Sequence, residues 1–404
     1  MKKILFSILT ISAFAVSALA TNPVTTAMPS LSIAPDGRAA GMGDAGVATA
    51  PDLHSQHWNP AKYAFMESPY GISPISFTPW LTKLVNDINL TSLAGYYNMG
   101  DLAGTLSASF NYFSMGAVQL VDYSGTAFQE AHPNEWAIDL AYSRKLHEYV
   151  SMAVAMRFLY SDLNNGVNAS VNNASEEMHP AWTMAADVAL YYKQPISLPM
   201  GDSYFGLGFN LSNLGGKMTY DEGTTQHFIP ANMRLGVSYE LPFDNYNSLM
   251  ATVECNKMLV PTSKSKFAEN QETHQMTQEE YSALSSPWGW INSFCDAPGY
   301  YNDIKDKYVS GAVEELQEVQ WSVGLEYSYN KQFFARAGYS HENYWKGNRR
   351  YVTVGAGFHL SIFVFDIAYC IATAPSNPLD GTMRATFGFD LGRIKDIKDN
   401  GWSL

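Results

Sequence analysis

SIFVFDIAYCIAT, residues 361–373, is the stretch whose reading decides the fold. Phe363, Phe365, Ile367, Tyr369 and Ile371 fall on one face, and Asp366, Ala368, Cys370 and Ala372 on the other. Period-two alternation is a strand signal, and about ten residues suit a strand that crosses a bilayer. The same split recurs upstream and downstream, near 135–146, 150–160, 182–192, 233–241, 320–330 and 382–391. Trp136, Ile138, Leu140 and Tyr142 oppose Asp139, for instance, and Trp321, Val323, Leu325, Tyr327 and Tyr329 oppose Glu326. The charges Asp139, Arg157, Asp187, Arg234, Glu240, Glu254, Glu326, Arg336, Asp366, Arg384 and Asp390 fall almost entirely opposite the aromatic face. A soluble sandwich that buried its aromatic face would alternate in the same way, so composition and connections must choose.

Aromatics make up 14% of the 404 residues and charged residues only 16%, against about 25% charged in soluble domains. That imbalance suits a large apolar outer surface. No stretch after residue 20 reaches about 18 uninterrupted apolar residues, which rules out a membrane-spanning helix and leaves a membrane barrel. Residues 1–20, MKKILFSILTISAFAVSALA, read as a secretory leader with a small-residue cleavage site after Ala20. Removing Lys2 and Lys3 with it takes the net charge from −13 to −15. So acidic a chain argues against nucleic-acid binding.

The connections set the topology. Short turns are expected at Gly100-Asp101, His147-Glu148, Gln194 to Asp202, Pro242 to Tyr246, Asn330-Lys331 and Leu360-Ser361. Longer loops are expected at 115–133, 163–180, 214–229, 258–315, 345–349 and 374–381. Strict alternation of short and long matches a barrel with periplasmic turns and extracellular loops. From residue 88 the count is 13 segments, and bacterial barrels have an even number. Tyr70 to Trp80 supplies the fourteenth, although Pro74 and Pro79 make it a poor strand. The reading is an all-β, 14-stranded antiparallel transmembrane β-barrel over 70–391, preceded by a lumenal hatch over 21–69 and followed by a periplasmic tail over 392–404.

Ahead of the strands, residues 37–65 read GRAAGMGDAGVATAPDLHSQHWNPAKYAF. Gly41, Gly43 and Gly46 spell G-x-G-x-x-G, but no strand precedes them and no βαβ unit encloses them, so a dinucleotide loop is rejected. The small residues instead let backbone pack closely inside a barrel. Gly41, Gly43 and Gly46 are expected against the inner wall, and Asn59-Pro60, after Trp58, is expected to end a short hatch helix.

With this wording, Ala34 to Ala48 followed by Trp58-Asn59-Pro60-Ala61, the chain resembles the PorV and PorQ family of type IX secretion outer-membrane proteins of the Bacteroidetes. That family is related in fold to the long-chain fatty acid transporters, whose N-terminal segment forms a hatch. The resemblance implies a non-enzymatic shuttle that binds the C-terminal signal domain of secreted cargo. It also implies the translocon SprA (Sov), the sortase PorU, PorZ and outer-membrane lipopolysaccharide as partners, without nucleic acid or cofactor. Lipopolysaccharide O-deacylation has also been ascribed to the family.

The residues weigh these functions differently. Deacylation needs a nucleophile, a base and an orienting group, and no G-x-S-x-G elbow is present. His54-x-x-His57 has a spacing suited to metal but lacks further ligands nearby, so no catalytic, cofactor or metal residue is assigned. A transporter for hydrophobic small molecules needs an apolar path, against which the inward charges Asp139, Arg157, Asp187, Arg234, Glu326, Arg336, Asp366 and Arg384 count. Met258 to Glu315 is too long for an ordinary loop and too aromatic for a disordered one, and Trp288, Trp290, Phe294, Tyr300 and Tyr301 are its candidate docking anchors. They could equally fold down as a lid, with helices over Gln278 to Leu284 and Asn302 to Leu316. Cys255, Cys295 and Cys370 are an odd number, and a Cys255–Cys295 disulfide is left open.

Overall fold

A computed structural model of the chain describes residues 24–81, 87–121, 127–165, 179–221, 225–262, 264–267, 273–275, 278–302, 306–374 and 377–393. The leader expected over 1–20 and all of the expected tail except Gly392 and Arg393 lie outside these. Fourteen antiparallel strands close into one barrel. They are β1 (Tyr70–Pro79), β2 (Ile88–Asn98), β3 (Thr105–Met115), β4 (Asn134–His147), β5 (Val150–Asp162), β6 (Ala181–Leu198) and β7 (Gly201–Gly215). The second half comprises β8 (Asn232–Pro242), β9 (Asn247–Met258), β10 (Gln320–Tyr329), β11 (Phe333–His341), β12 (Tyr351–Leu360), β13 (Phe363–Ala372) and β14 (Met383–Phe389).

Closure depends on the strand that reads worst. β1 pairs with β2 on one side and with β14 on the other. Both ladders break register around Pro74, between Ser73 and Ser76 toward β2 and between Ile72 and Ile75 toward β14. A bulge is where a residue without an N–H can sit in a sheet, so Pro74 bends the strand without ending it. Pro79 falls at the last position, where a missing donor costs little.

The burial of successive residues alternates as the sequence pattern requires. Ile138, Leu140, Val237, Val323, Leu325, Val354 and Ile371 are exposed on the outer face, while Asp139, Ser238, Glu326, Thr353 and Cys370 are buried on the inner one. Tyr97, Tyr329 and Phe333 edge the short-turn end and Trp182 and Trp321 the other, as aromatic girdles do at the two interfaces of a bilayer.

Several connections differ from the sequence reading. Instead of turning from Gln194, β6 and β7 run on as a ribbon from the Tyr192–Val150 pair to Leu198–Gly201. The long loops carry their own small hairpins, such as Val118–Val121 with Ala127–Ala131. In the long insertion, α-helices lie at Gln278–Ala283, Ser286–Asn292 and Gly311–Gln317. A helix over Asn302 to Leu316 is therefore wrong in its first half, because Tyr300–Asn302 pairs with Lys307–Val309. The helix at Ser286–Asn292 escaped detection because Pro287 and Gly289 read as breakers, whereas Pro287 occupies the first turn, where its missing N–H is harmless. Cys255, Cys295 and Cys370 are all free.

An arginine on the lipid face should be costly in a way that one at an interface is not. Leu325→Arg, near the middle of β10, is expected to lower the unfolding free energy by about 2–4 kcal/mol in a reversible bilayer refolding titration. Tyr329→Arg at the rim is expected to cost at most about 1 kcal/mol in the same assay.

Candidate functional site

Residues 28–64 pack against inward-facing residues of the strands, and that packing explains the glycine-rich wording. Helices α1 (Gly37–Ala40) and α2 (Ser55–Trp58) are one turn each. The Asp36 carboxylate fixes both: one oxygen accepts from the Ala39 N–H at 2.8 Å as the cap of α1, and the other accepts from the Trp58 indole N–H at 2.6 Å. Asn59 then ends α2, donating to the carbonyls of Val47 (3.0 Å) and Leu190 (2.9 Å), and Pro60 opens the next short helix. Gly37 donates to the Thr386 hydroxyl of β14 at 2.8 Å, and Ser76 of β1 donates to the Pro35 carbonyl at 2.5 Å. The segment is thus bonded across the seam where the barrel closes.

Gly43 adopts φ +73° with its N–H on the Thr353 hydroxyl, and a Cβ there would lie 2.7 Å from the Tyr339 nitrogen. Gly41 rests on Arg336 and Gly355. Gly46 faces the Trp58 ring rather than the wall, although its N–H reaches the wall at Glu254 (2.8 Å). The matching residues on the barrel were not singled out from sequence. A Cβ on Gly208 would come within 2.0 Å of the Val47 carbonyl, on Gly338 within 2.1 Å of the Gly43 nitrogen, and on Gly324 within 2.5 Å of Met42. Gly208 pairs with Gly236 and Gly324 with Gly338, so the clearance is cut across neighbouring strands. The available signal was glycine at inward strand positions, where serine or threonine would otherwise serve.

The inward charges pair with each other and with the segment. Arg157 bonds Asp139, Asp187 (3.0 Å) and Asn213. A bulge in the β6–β7 ladder at Asp187 brings it also to the Asn213 N–H. Arg234 bonds Glu254 at 3.3 Å and lies 4.6 Å over the Trp58 ring, while Glu254 accepts from the N–H groups of Gly46 and Val47. Arg336 joins Glu326 and Asp366, each at 2.6 Å, and Arg38 reaches Glu326 at 2.8 Å and Asp52 at 3.2 Å. Arg384 bonds the Ala34 carbonyl at 3.1 Å and faces Asp44 at 3.7 Å. Arg38, Asp52 and the fully buried Lys62, which bonds the Gly46 carbonyl at 2.9 Å, complete this set and were not nominated from sequence.

Below these pairs, at the short-turn end, lies a cavity of about 290 Å³ with Phe65, Tyr96, Tyr191, Tyr204 and Phe334 in its walls and Arg38, Asp52, Glu326 and Asp366 among its lining. His54 and His57 do not act together: His54 bonds Ser73 at 2.8 Å, and His57 packs edge-on against Trp58. Among the described residues no three His, Cys, Asp or Glu side chains converge as metal ligands.

At the opposite end the insertion between β9 and β10 forms a built lid, with helices α3 (Gln278–Ala283), α4 (Ser286–Asn292) and α5 (Gly311–Gln317). The candidate anchors divide. Tyr300 is buried against Trp345, with its hydroxyl on Gln317, and Trp290 is half-buried, whereas Trp288, Phe294 and Tyr301 are about half exposed, at 56%, 47% and 48%. Lys257 at the end of β9 holds Glu315 (3.0 Å) and Glu318 (2.6 Å), and Lys346 holds Glu314 and Glu318. The Asp296 carboxyl accepts from the Thr262 N–H at 2.8 Å; burial pushes it up to about 6, the Thr262 bond opposes this, and Glu315 and Glu318 add to it.

A family model described as type IX secretion system protein PorV matches residues 17–265, more than half of the chain. The chain belongs to the PorV family. It is an outer-membrane β-barrel of the type IX secretion system. Among solved structures, the toluene transporter TbuX of Ralstonia pickettii shares the fold at 12% identity over 88% of this chain and 97% of that one, with a TM-score of 0.50. A FadL homologue of Pseudomonas aeruginosa aligns at 10% identity over 88% and 98%, with a TM-score of 0.41. No curated protein sequence matches.

Gly338→Val should drive a side chain into the Gly43 backbone. The expected cost is about 1–3 kcal/mol, seen as a lower unfolding temperature of the assembled barrel in detergent. For Asp296 the folded value lies above the ordinary 3.8, so its contribution to lid closure is present in acid and is lost as pH rises through about 6. Hydrogen exchange at lid amides that do not bond Asp296, such as Gly289 and Ser293, corrected for intrinsic rate, should be slower at pH 5 than at pH 7.5, and Asp296→Asn should flatten the difference.

Proposed function

We propose that this protein binds the C-terminal signal domain of secreted cargo at its extracellular lid and carries it from the SprA translocon to PorU and PorZ for attachment to surface lipopolysaccharide. The observation that supports this reading best is the lid itself. It is folded, tied to the barrel through Lys257 and Lys346, and leaves Trp288, Ile291 and Phe294 exposed. Aromatics held on a rigid support are the residues that carry binding energy at interfaces. Tyr300 belongs to the internal packing of the lid, and in this reading it supports the docking face without contacting cargo.

Transport of small hydrophobic compounds across the outer membrane is the second reading, and the aromatic cavity near the periplasmic mouth favours it. An apolar solute entering there meets Arg38, Asp52, Glu326 and Asp366 in the wall. Desolvating such a set to let an apolar molecule pass is unfavourable.

A photo-crosslinking residue in place of Trp288, activated during secretion, is expected to capture cargo or a translocon component. Capture of neither, with the barrel assembled, would sink the shuttle reading. Trp288→Ala combined with Phe294→Ala should lower surface attachment of cargo at least tenfold while heat-modifiable barrel mobility is unchanged; if uptake of a hydrophobic solute falls and attachment does not, the transporter reading takes its place.

A further inference from the structure

The lid is fastened to the barrel rim by ion pairs, but its centre rests on something else. The N-terminal segment begins among the extracellular loops: Val24 packs with Leu284 against a cluster of Phe228, Val260 and Tyr281, and the Ala27 N–H donates to the Phe228 carbonyl at 2.9 Å. Phe228, in the loop between β7 and β8, is where the lid rests on that loop. Its ring stands edge-on to Tyr281 of α3 at 5.2 Å, lies beneath the Lys217 ammonium at 4.4 Å, and fills the space beside Gly289 of α4, where a Cβ would sit 2.9 Å away. The Tyr281 hydroxyl donates to the Pro261 carbonyl at 3.0 Å, and Lys217 reaches the Ser282 carbonyl at 2.8 Å.

Immediately below, the chain changes character. Met28 takes the left-handed conformation (φ 48°), and Ala27, Met28 and Leu31 enter a second apolar cluster with Ala137, Leu159, Ala185, Met218 and Ile229. Ser30 donates to Glu135 of β4. From Asp36 onward the segment is held by the ion pairs of the lumen. Among the described residues, 24–31 therefore join a firmly anchored body to the β7–β8 loop through the Ala27–Phe228 hydrogen bond, and to the lid through the small apolar cluster that Val24 and Phe228 share with Tyr281 and Leu284.

We propose that residues 24–31 form an internal latch that holds the centre of the extracellular lid closed from within the lumen. Lifting the lid pulls Tyr281 and Leu284 out of the cluster they form with Val24 and Phe228, and leaves the segment from Asp36 onward in place. The barrel stays plugged when the lid opens, because separate interactions hold the two. The latch follows from the fold and does not depend on what the lid docks.

The test is amide hydrogen exchange on the full-length protein in outer-membrane-like bilayers. Val24→Asp is expected to speed exchange in residues 226–231 and in α3 and α4 at least tenfold, with α5 and the barrel strands at the wild-type rate. Ala27→Pro, which removes the donated N–H, is expected to do the same. Phe228→Ala combined with Val24→Asp is expected to add less than the two single effects summed, since both remove one contact. Unchanged exchange at the lid in Val24→Asp and Ala27→Pro would overturn the latch. So would fully additive effects, or equal acceleration of the lid and of residues 36–62.

Discussion

A backbone in hydrocarbon must pair every N–H and C=O with itself, and the closed sheet is the β solution to that demand. Closing fourteen strands solves the problem of the edge and creates another, an interior too wide for wall side chains to fill. The structure fills it with chain. Because backbone rather than side chains must touch the wall, both surfaces lose their Cβ atoms where they meet, at Gly37 and Gly43 on one side and at Gly208, Gly324 and Gly338 on the other. The glycine pattern is thus a consequence of barrel width.

The buried charges follow from the same arrangement. A plug of bare backbone offers N–H and C=O groups that need partners, and Glu254, Asn210 and Lys62 supply them. Buried ion pairs contribute little net stability once desolvation is counted, but breaking one leaves a charge unpaired, so they discriminate strongly between correct and displaced positions. Arg38, shared between Glu326 and Asp52, and Arg234, bonded to Glu254 over the face of Trp58, set where the segment sits. Specification of position is the role these pairs can fill, in a protein whose stability comes from the sheet.

The barrel was legible because its signals are local and repeated. Alternation such as Phe363 to Ile371 is imposed by two different solvents, and turn lengths reveal which end is which. β1 was legible by counting and not by propensity, since a bulge absorbs Pro74. What stayed hidden depends on pairing between distant parts of the chain. Gly338 looks like any strand glycine until Gly43 is placed against it, and Lys62 looks like an exposed lysine until the Gly46 carbonyl and Asp52 surround it. The lid was legible as an aromatic insertion, but its division into the inward Tyr300 and the outward Trp288 is set by tertiary packing that no periodicity encodes.

Across the seam between the first and last strands, Ser76 and Thr386 bond one another at 2.6 Å and also hold Pro35 and Gly37 of the segment. Such a three-way junction cannot exist until β14 lies beside β1. The fit of the plug is therefore completed by closure itself. An unclosed barrel has no finished binding site for its own N-terminal segment, and a closed barrel without that segment leaves Thr386 and Ser76 facing an empty lumen. Closure and plugging thus share the same hydrogen bonds, and the seam between the first and last strands is pinned from inside.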